Sequence, residues 1–169
     1  TPSPTGFTDQ AVSLVEDHLQ QLNIQSKRTP KGALIWTLKG KRGPARALSS
    51  HIDTLGGMVK EVKENGRLKL TSIGGYDWST IEGAECVVHS FTGEVFTGTV
   101  VNTKQSTHVF GPELRDLKRT EEVMEVRLDA ETSCHKTTLE LGIQVGNFVS
   151  FNSDALITEA GFVKGRHLD

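Results

Sequence analysis

Residues 48–59 read LSSHIDTLGGMV and set His51 and Asp53 two apart, with Gly56 and Gly57 just beyond. In an extended strand, residues i and i+2 point to the same side. If this run is a strand, His51 and Asp53 share a face. An imidazole placed there binds a divalent metal through one ring nitrogen while a carboxylate takes the N–H of the other and fixes the tautomer. Open α/β sheets hold their ligands at the carboxyl ends of strands. Leu48 to Ser50 read as the buried body of such a strand, and the two glycines let the chain turn away sharply. The plainer alternative is that His51 ends a strand and Asp53 starts a turn. So short a motif leaves both readings open.

The remaining reactive residue types point to less. Cys86 and Cys134 are far apart and form no C-x-x-C pair, so no disulfide framework is expected and a reducing cytoplasm is the simpler setting. Cys86 sits in an apolar strand pattern and reads as a core residue. His108, in KQSTHVFGP, reads as exposed, with reach toward a neighbouring subunit's site as the alternative. His89 and His135 have no carboxylate or cysteine at ligand spacing and read as surface or partly packed. TSIGGYDW has a glycine pair but not the strand–loop–helix setting of a phosphate cradle, and it reads as a turn with Trp78 packing nearby. The basic run KGKRGPAR (39–46) reads as a solvated turn.

These residues need elements to position them. TPSPTG opens the chain with turn chemistry, and Thr8 or Asp9 is placed to cap a helix. Val12, Val15, Leu19 and Leu22 recur at helical spacing and predict an amphipathic helix over 8–23. ALIWTLKG (33–40) and ARALSSHID (45–53) predict two strands joined by a hairpin-like turn. Past Gly57 the pattern changes to short β segments: MVKEV, RLKLTSI, AECVVHSF and EVFTGTVV, with turns at KENGR, GGYDW and TGE. That close spacing belongs to a small barrel or sandwich. A loop over 106–122 follows, then strand VMEVRLD, a short helix in SCHKTTLELG, and strand NFVSFN. The chain closes on GFVKGRHLD, a short α/β-type ending with no terminating element expected after it.

The reading is therefore a β-rich unit over 57–155 set between an α/β-type beginning, 1–56, and a return, 156–169. An insert of this kind brings the chain back near its point of departure, which would carry Asp169 toward His51. With 169 residues there is enough chain for one domain with a real core or two small ones. A formal net charge of −2 gives no electrostatic case for nucleic acid or an anionic membrane. No apolar run approaches the roughly 18–20 residues of a membrane helix.

The segment SSHIDTLGGMVKEVKENGRLKLTSIGGYDWSTIEGAECVV resembles the first metal-ligand region of the cytoplasmic metalloaminopeptidases that include the deblocking, glutamyl and tetrahedral (TET) enzymes, some of whose relatives are labelled endoglucanases. The likeness extends through TPSPTG, TGTVVNTKQSTHVF, LELGIQVGNFVSF and GFVKGRHLD, in the family's order. It implies an α/β peptidase-type domain, here partial, with a small β-barrel dimerisation domain inserted after the His-x-Asp segment. It also implies two divalent ions, zinc or cobalt with manganese as a further fit, and peptides as substrates. His51 then corresponds to the first metal ligand, Asp53 to the catalytic-site carboxylate that supports it, and Asp169 to the aspartate bridging the two ions. The inserted barrel would make the homo-oligomeric contacts.

One departure from the family's pattern shapes the expectation. There, the bridging aspartate is followed by a second Asp or Asn and a long half that supplies the general-base glutamate and the remaining ligands. The expectation is an N-terminal fragment of such an enzyme, inactive by itself and not retaining its metals. Two other classes stand beside it: a non-catalytic oligomerisation module, and a glycoside hydrolase, which would require a placed pair of acids.

Overall fold

The computed structural model describes residues 1–166 and Leu168. The chain divides into two compact units, one of Thr1–Thr54 and one from Leu55 onward.

The first unit is built on helix α1, Asp9–Gln21, with Thr8 at its N-cap position. Ala11, Val12 and Leu19 are buried, whereas Leu22 lies mostly exposed beyond the last turn. The helix stops because Asn23 takes a left-handed φ of 58°. The N–H groups of Asn23 and Ile24 then donate back to the carbonyls of Gln20 and Leu19 at 2.9 and 2.8 Å. This is the two-bond Schellman arrangement, in which asparagine is tolerated where glycine is usual. Strand β1, Ser26–Arg28, pairs antiparallel with β2, Leu34–Trp36. Arg28 ties this hairpin to the helix through Glu16 and donates to Ser13 Oγ at 3.1 Å.

Here the structure departs from the expected pairing. The partner of 34–36 is 26–28, and residues 45–53 form no strand. Leu48, expected in the body of a sheet, is 100% exposed. Apolar alternation marks a strand only where a neighbour supplies ladder hydrogen bonds, and residues 45–50 pair with none of the described segments. The one β contact nearby is an isolated parallel bridge between Pro4 and Thr54.

The second unit is a closed six-stranded barrel. Its strands are β3 (Gly56–Val62), β4 (Leu68–Ile73), β5 (Glu85–His89), β6 (Val95–Asn102), β7 (Met124–Leu128) and β8 (Phe148–Phe151). They run in the order β3-β4-β7-β6-β5-β8, and β8 pairs back onto β3. Alternate residues point inward, so Leu68 and Leu70, Cys86 and Val88, and Met124, Val126 and Leu128 fill one apolar core. A bulge between Val59 and Glu61 bends β3. Ile81, in a short 3₁₀ turn at Trp78–Ile81, and Ile143 join the same core and are fully buried. Tyr76 meets Trp78 and Phe151 edge-on, at ring separations of 5.5 and 5.6 Å, and donates to the Gly56 carbonyl at 3.0 Å.

The segment expected as a plain loop at 106–122 carries two short helices, α2 (Thr107–Phe110) and α3 (Pro112–Asp116). Gly111, with φ of 51°, breaks one from the other, and Pro112 starts the second at a position that needs no N–H. Arg119 anchors this stretch: it pairs with Glu82 at 2.7 Å and donates to the Leu114 and Leu117 carbonyls. Helix α4, His135–Glu140, lies on the β3–β4 turn, where Thr138 Oγ1 donates to the Gly66 carbonyl at 2.8 Å. Beyond the barrel, β9 (Leu156–Ile157) and β10 (Val163–Lys164) form a small hairpin within the stretch expected only as a short α/β-type ending. Its strands are only two residues long, too short for a periodic signal.

Gly98 shows how tightly the barrel wall is drawn. A Cβ there would lie 2.7 Å from the Arg127 carbonyl oxygen and 2.9 Å from Val126 Cγ1. Gly98→Ala is expected to destabilise the protein by about 1–3 kcal/mol, the range of overpacked sites. Gly40→Ala, with nothing within 4 Å, should stay within about 0.5 kcal/mol of the parent. Urea unfolding of the two variants checks the difference.

Candidate functional site

His51 and Asp53 meet in a loop of the first unit. His51 Nδ1 lies 2.9 Å from the Asp53 carbonyl oxygen and 3.1 Å from Asp53 Oδ1. Both neighbours only accept hydrogen bonds, so Nδ1 carries the proton and Nε2 is the ring atom with a lone pair. The carboxylate's other oxygen, Oδ2, accepts from Thr5 Oγ1 at 2.5 Å. That hydroxyl holds the Asp53 carboxyl below its ordinary pKa against the opposing effect of burial, with a lesser contribution from His51. Asp53 is thus firmly ionised at neutral pH. The pair remains open to solvent, with side-chain exposures of 56% and 34%.

The loop is positioned by the start of the chain. The Thr54 N–H donates to the Ser3 carbonyl at 2.7 Å, beside the Pro4–Thr54 bridge. Pro4 in turn accepts from Phe7 N–H at 2.7 Å, closing a turn whose third residue, Gly6, has φ of 92°. Third-position φ above zero is the type II requirement that favours glycine.

The other candidates are dispersed. Asp169 lies outside the described residues. His108 is exposed on α2, and His135 is partly exposed at the start of α4. His89, expected at the surface or partly packed, is 7% exposed, with Nε2 2.8 Å from Ser150 Oγ. It closes a strand of a closed barrel, and Ser150 on the adjacent β8 gives it a buried partner that linear spacing could not reveal. Cys86 is a core residue whose thiol burial pushes up to about 12, which removes it as a nucleophile. Among the described residues no three His, Cys, Asp or Glu side chains converge as a metal-binding group. Two open clefts of the second unit, about 530 Å³ beside Arg67 and Arg127 and about 370 Å³ beside Glu85 and Asp154, contain neither His51 nor Asp53.

The family model of the M42 glutamyl aminopeptidases matches residues 32–169. The chain belongs to that family. This bears out the resemblance carried by the His-x-Asp segment and the motifs that follow it. Relatives agree. YhfE of Bacillus subtilis (strain 168), a protein named as an aminopeptidase, is 44% identical over 169 residues, which are 99% of this chain and 49% of YhfE. Among solved structures, the TET aminopeptidase of the marine-sediment organism Thaumarchaeota archaeon SCGC AB-539-E09 superposes with a TM-score of 0.79 at 19% identity, covering 95% of this chain and 44% of that one. The TET1 peptidase of Pyrococcus horikoshii, described as assembling into a tetrahedron or a large octahedral shell, gives 0.78 at 20% identity over 100% of this chain and 48% of its own. At such identities the likeness is one of fold. The M42 chain spans about half the length of these relatives.

Thr5 is the site residue that sequence reading missed. TPSPTG advertises a turn, but nothing in its composition says that one hydroxyl reaches a carboxylate 48 residues away.

Burial lowers the pKa of His89 below the ordinary 6.5. As pH falls, the unfolded chain therefore takes up this proton before the folded one does. Stability should be full above about 6.5 and decline as pH drops through the lowered folded-state value. His89→Gln removes that dependence. Urea midpoints at pH 7.5 and 5 should fall further for the parent than for the variant.

Proposed function

We propose that the chain forms part of a metal-dependent aminopeptidase that releases N-terminal residues from peptides. The observation that carries this is the His51–Asp53 pair in a chain of the M42 family: an imidazole whose Nδ1 proton is held by an ionised aspartate, leaving Nε2 as the donor atom. That is the usual disposition of a metal-bound histidine and its orienting carboxylate. The donor set fits zinc, cobalt or manganese as one end of a site, since imidazole and carboxylate suit all three.

In this reading His51 is a direct ligand, Asp53 orients it, and Asp169 is the bridging aspartate of a two-ion centre. The other ligands and the general-base glutamate belong to sequence outside these residues. Two divalent ions held there would supply Lewis acidity to the scissile carbonyl and an activated water. What this chain contributes is positioning. Asp53 stays charged, keeps the proton on Nδ1, and so presents one tautomer of His51.

The same proposal covers the architecture. Residues 1–56 and 156–169 belong to an α/β peptidase-type domain, and 57–155 is the inserted β-barrel that serves dimerisation and homo-oligomer assembly. The assemblies described for the P. horikoshii TET1 peptidase support the last point by analogy of fold. A cytoplasmic setting agrees with two unpaired cysteines and with the absence, among the described residues, of a helix long and apolar enough to cross a membrane. The glycoside hydrolase alternative is not favoured, because the family is one of aminopeptidases.

The test uses full-length protein and short peptides with free N-termini. Turnover should be lost with a chelator and return on adding cobalt or zinc. His51→Ala should abolish most turnover and weaken metal retention, and Asp53→Asn should cost roughly 10- to 100-fold, as outer partners of metal ligands do. Residues 1–169 alone should show no turnover and should self-associate in sedimentation. Wild-type turnover and metal content in His51→Ala would overturn the reading.

A further inference from the structure

Thr5 is exposed, so packing does not explain a β-branched residue there, and water would satisfy its hydroxyl as well as a protein group would. The hydroxyl nevertheless donates to Asp53 Oδ2 at 2.5 Å. The two oxygens of a single carboxylate thus hold two donors from distant segments: Thr5 on Oδ2 and His51 Nδ1 on Oδ1. One such bond would leave the carboxylate free to swing about it, whereas two fix the plane of the group.

The donor is itself fixed by backbone. Ser3 accepts from Thr54 N–H, Pro4 bridges Thr54, and the turn from Pro4 to Phe7 sets Thr5 at its second position. Gly6, at φ of 92°, occupies a conformation that a side chain would strain. The chain from 3 to 7 therefore has a defined shape with one outward function, the placement of a hydroxyl over Asp53. The restricted χ1 of threonine suits that task better than serine's freer rotor.

We infer that Thr5 is a positioning residue for the candidate site, clamping the Asp53 carboxylate so that its other oxygen stays on His51 Nδ1–H. This rests on the reading of His51 as a metal ligand, and it assigns to TPSPTG a role in metal affinity rather than in chain packing.

The experiment measures Co²⁺ binding to full-length protein by competition titration, together with the visible absorption of the cobalt form and thermal unfolding of the metal-free form. Thr5→Val should weaken Co²⁺ by up to about tenfold, at or below the range for a direct outer partner, and should alter the cobalt spectrum. Thr5→Ser should restore most of both, and metal-free unfolding should be unmoved. In an Asp53→Ala background, Thr5→Val should add nothing, the non-additivity expected when two residues act through one group. Wild-type affinity and spectrum in Thr5→Val, while Asp53→Ala loses both, would overturn the role of Thr5 and leave the metal reading intact. An equal loss in Thr5→Ser, or a loss tracking metal-free stability, would also overturn it. If His51→Ala and Asp53→Ala too leave Co²⁺ binding untouched, the metal reading fails and Thr5 fails with it.

Discussion

The second unit depends on one backbone pairing, that of Gly56, Gly57 and Met58 with Ser150, Val149 and Phe148. This ladder joins the first barrel strand to the last and turns a six-stranded sheet into a closed wall. Without it β3 and β8 would both be edges, open to pairing with another chain. The close fit at Gly57 explains why a glycine stands in a strand that otherwise wants side chains: a Cβ there would lie 3.0 Å from Leu70 Cδ1. Closure also dictates chemistry. The thiol of Cys86 faces the sealed interior, loses solvent and is held neutral, while His89, on the opposite face of the same strand, is buried beside Ser150 of β8 and its neutral form is favoured there.

The first unit is ordered by a different means. Its helix and hairpin are short, and residues 37–53 have no regular structure. What order the candidate site has comes from individual hydrogen bonds rather than from a sheet: Thr54 to Ser3, Phe7 to Pro4, Thr5 to Asp53, and His51 to Asp53. Such bonds are few and lie near solvent, so the geometry around His51 is set by a small number of replaceable contacts. The barrel strands, in contrast, share their stability over many apolar residues, and single changes there act on folding rather than on the site.

That contrast explains what could be read from sequence. The barrel strands announce themselves through alternation, because one face of each is buried and turn residues mark the ends. Helix α1 was legible for the same reason, in the spacing of Val12 and Leu19. Family membership was legible from ordered motifs. Three features were not. β1 and β10 are too short for a period. The 45–53 run carries a strand's pattern but finds no ladder among the described segments. The burial of His89 depends on which strands are neighbours, and β5 lies beside β8 although Val88 and its partner Val149 are 61 positions apart in the chain. His51 and Asp53 were picked out by type and spacing, but the reason given, a shared strand face, is not how they meet.

His51 and Asp53 meet through two contacts of a single ring nitrogen. Nδ1–H is shared between the Asp53 carbonyl and Oδ1, so the imidazole is held even if the carboxylate moves. The carboxylate adds charge, and with it a preference for the proton staying on that side of the ring. Asparagine at 53 would keep the backbone acceptor and one side-chain oxygen but lose the charge, and its amide would meet the Thr5 hydroxyl as a donor, forcing that hydroxyl to accept. The loop thus separates two tasks: the backbone orients the ring, and the side chain, clamped by Thr5, sets its electronic character.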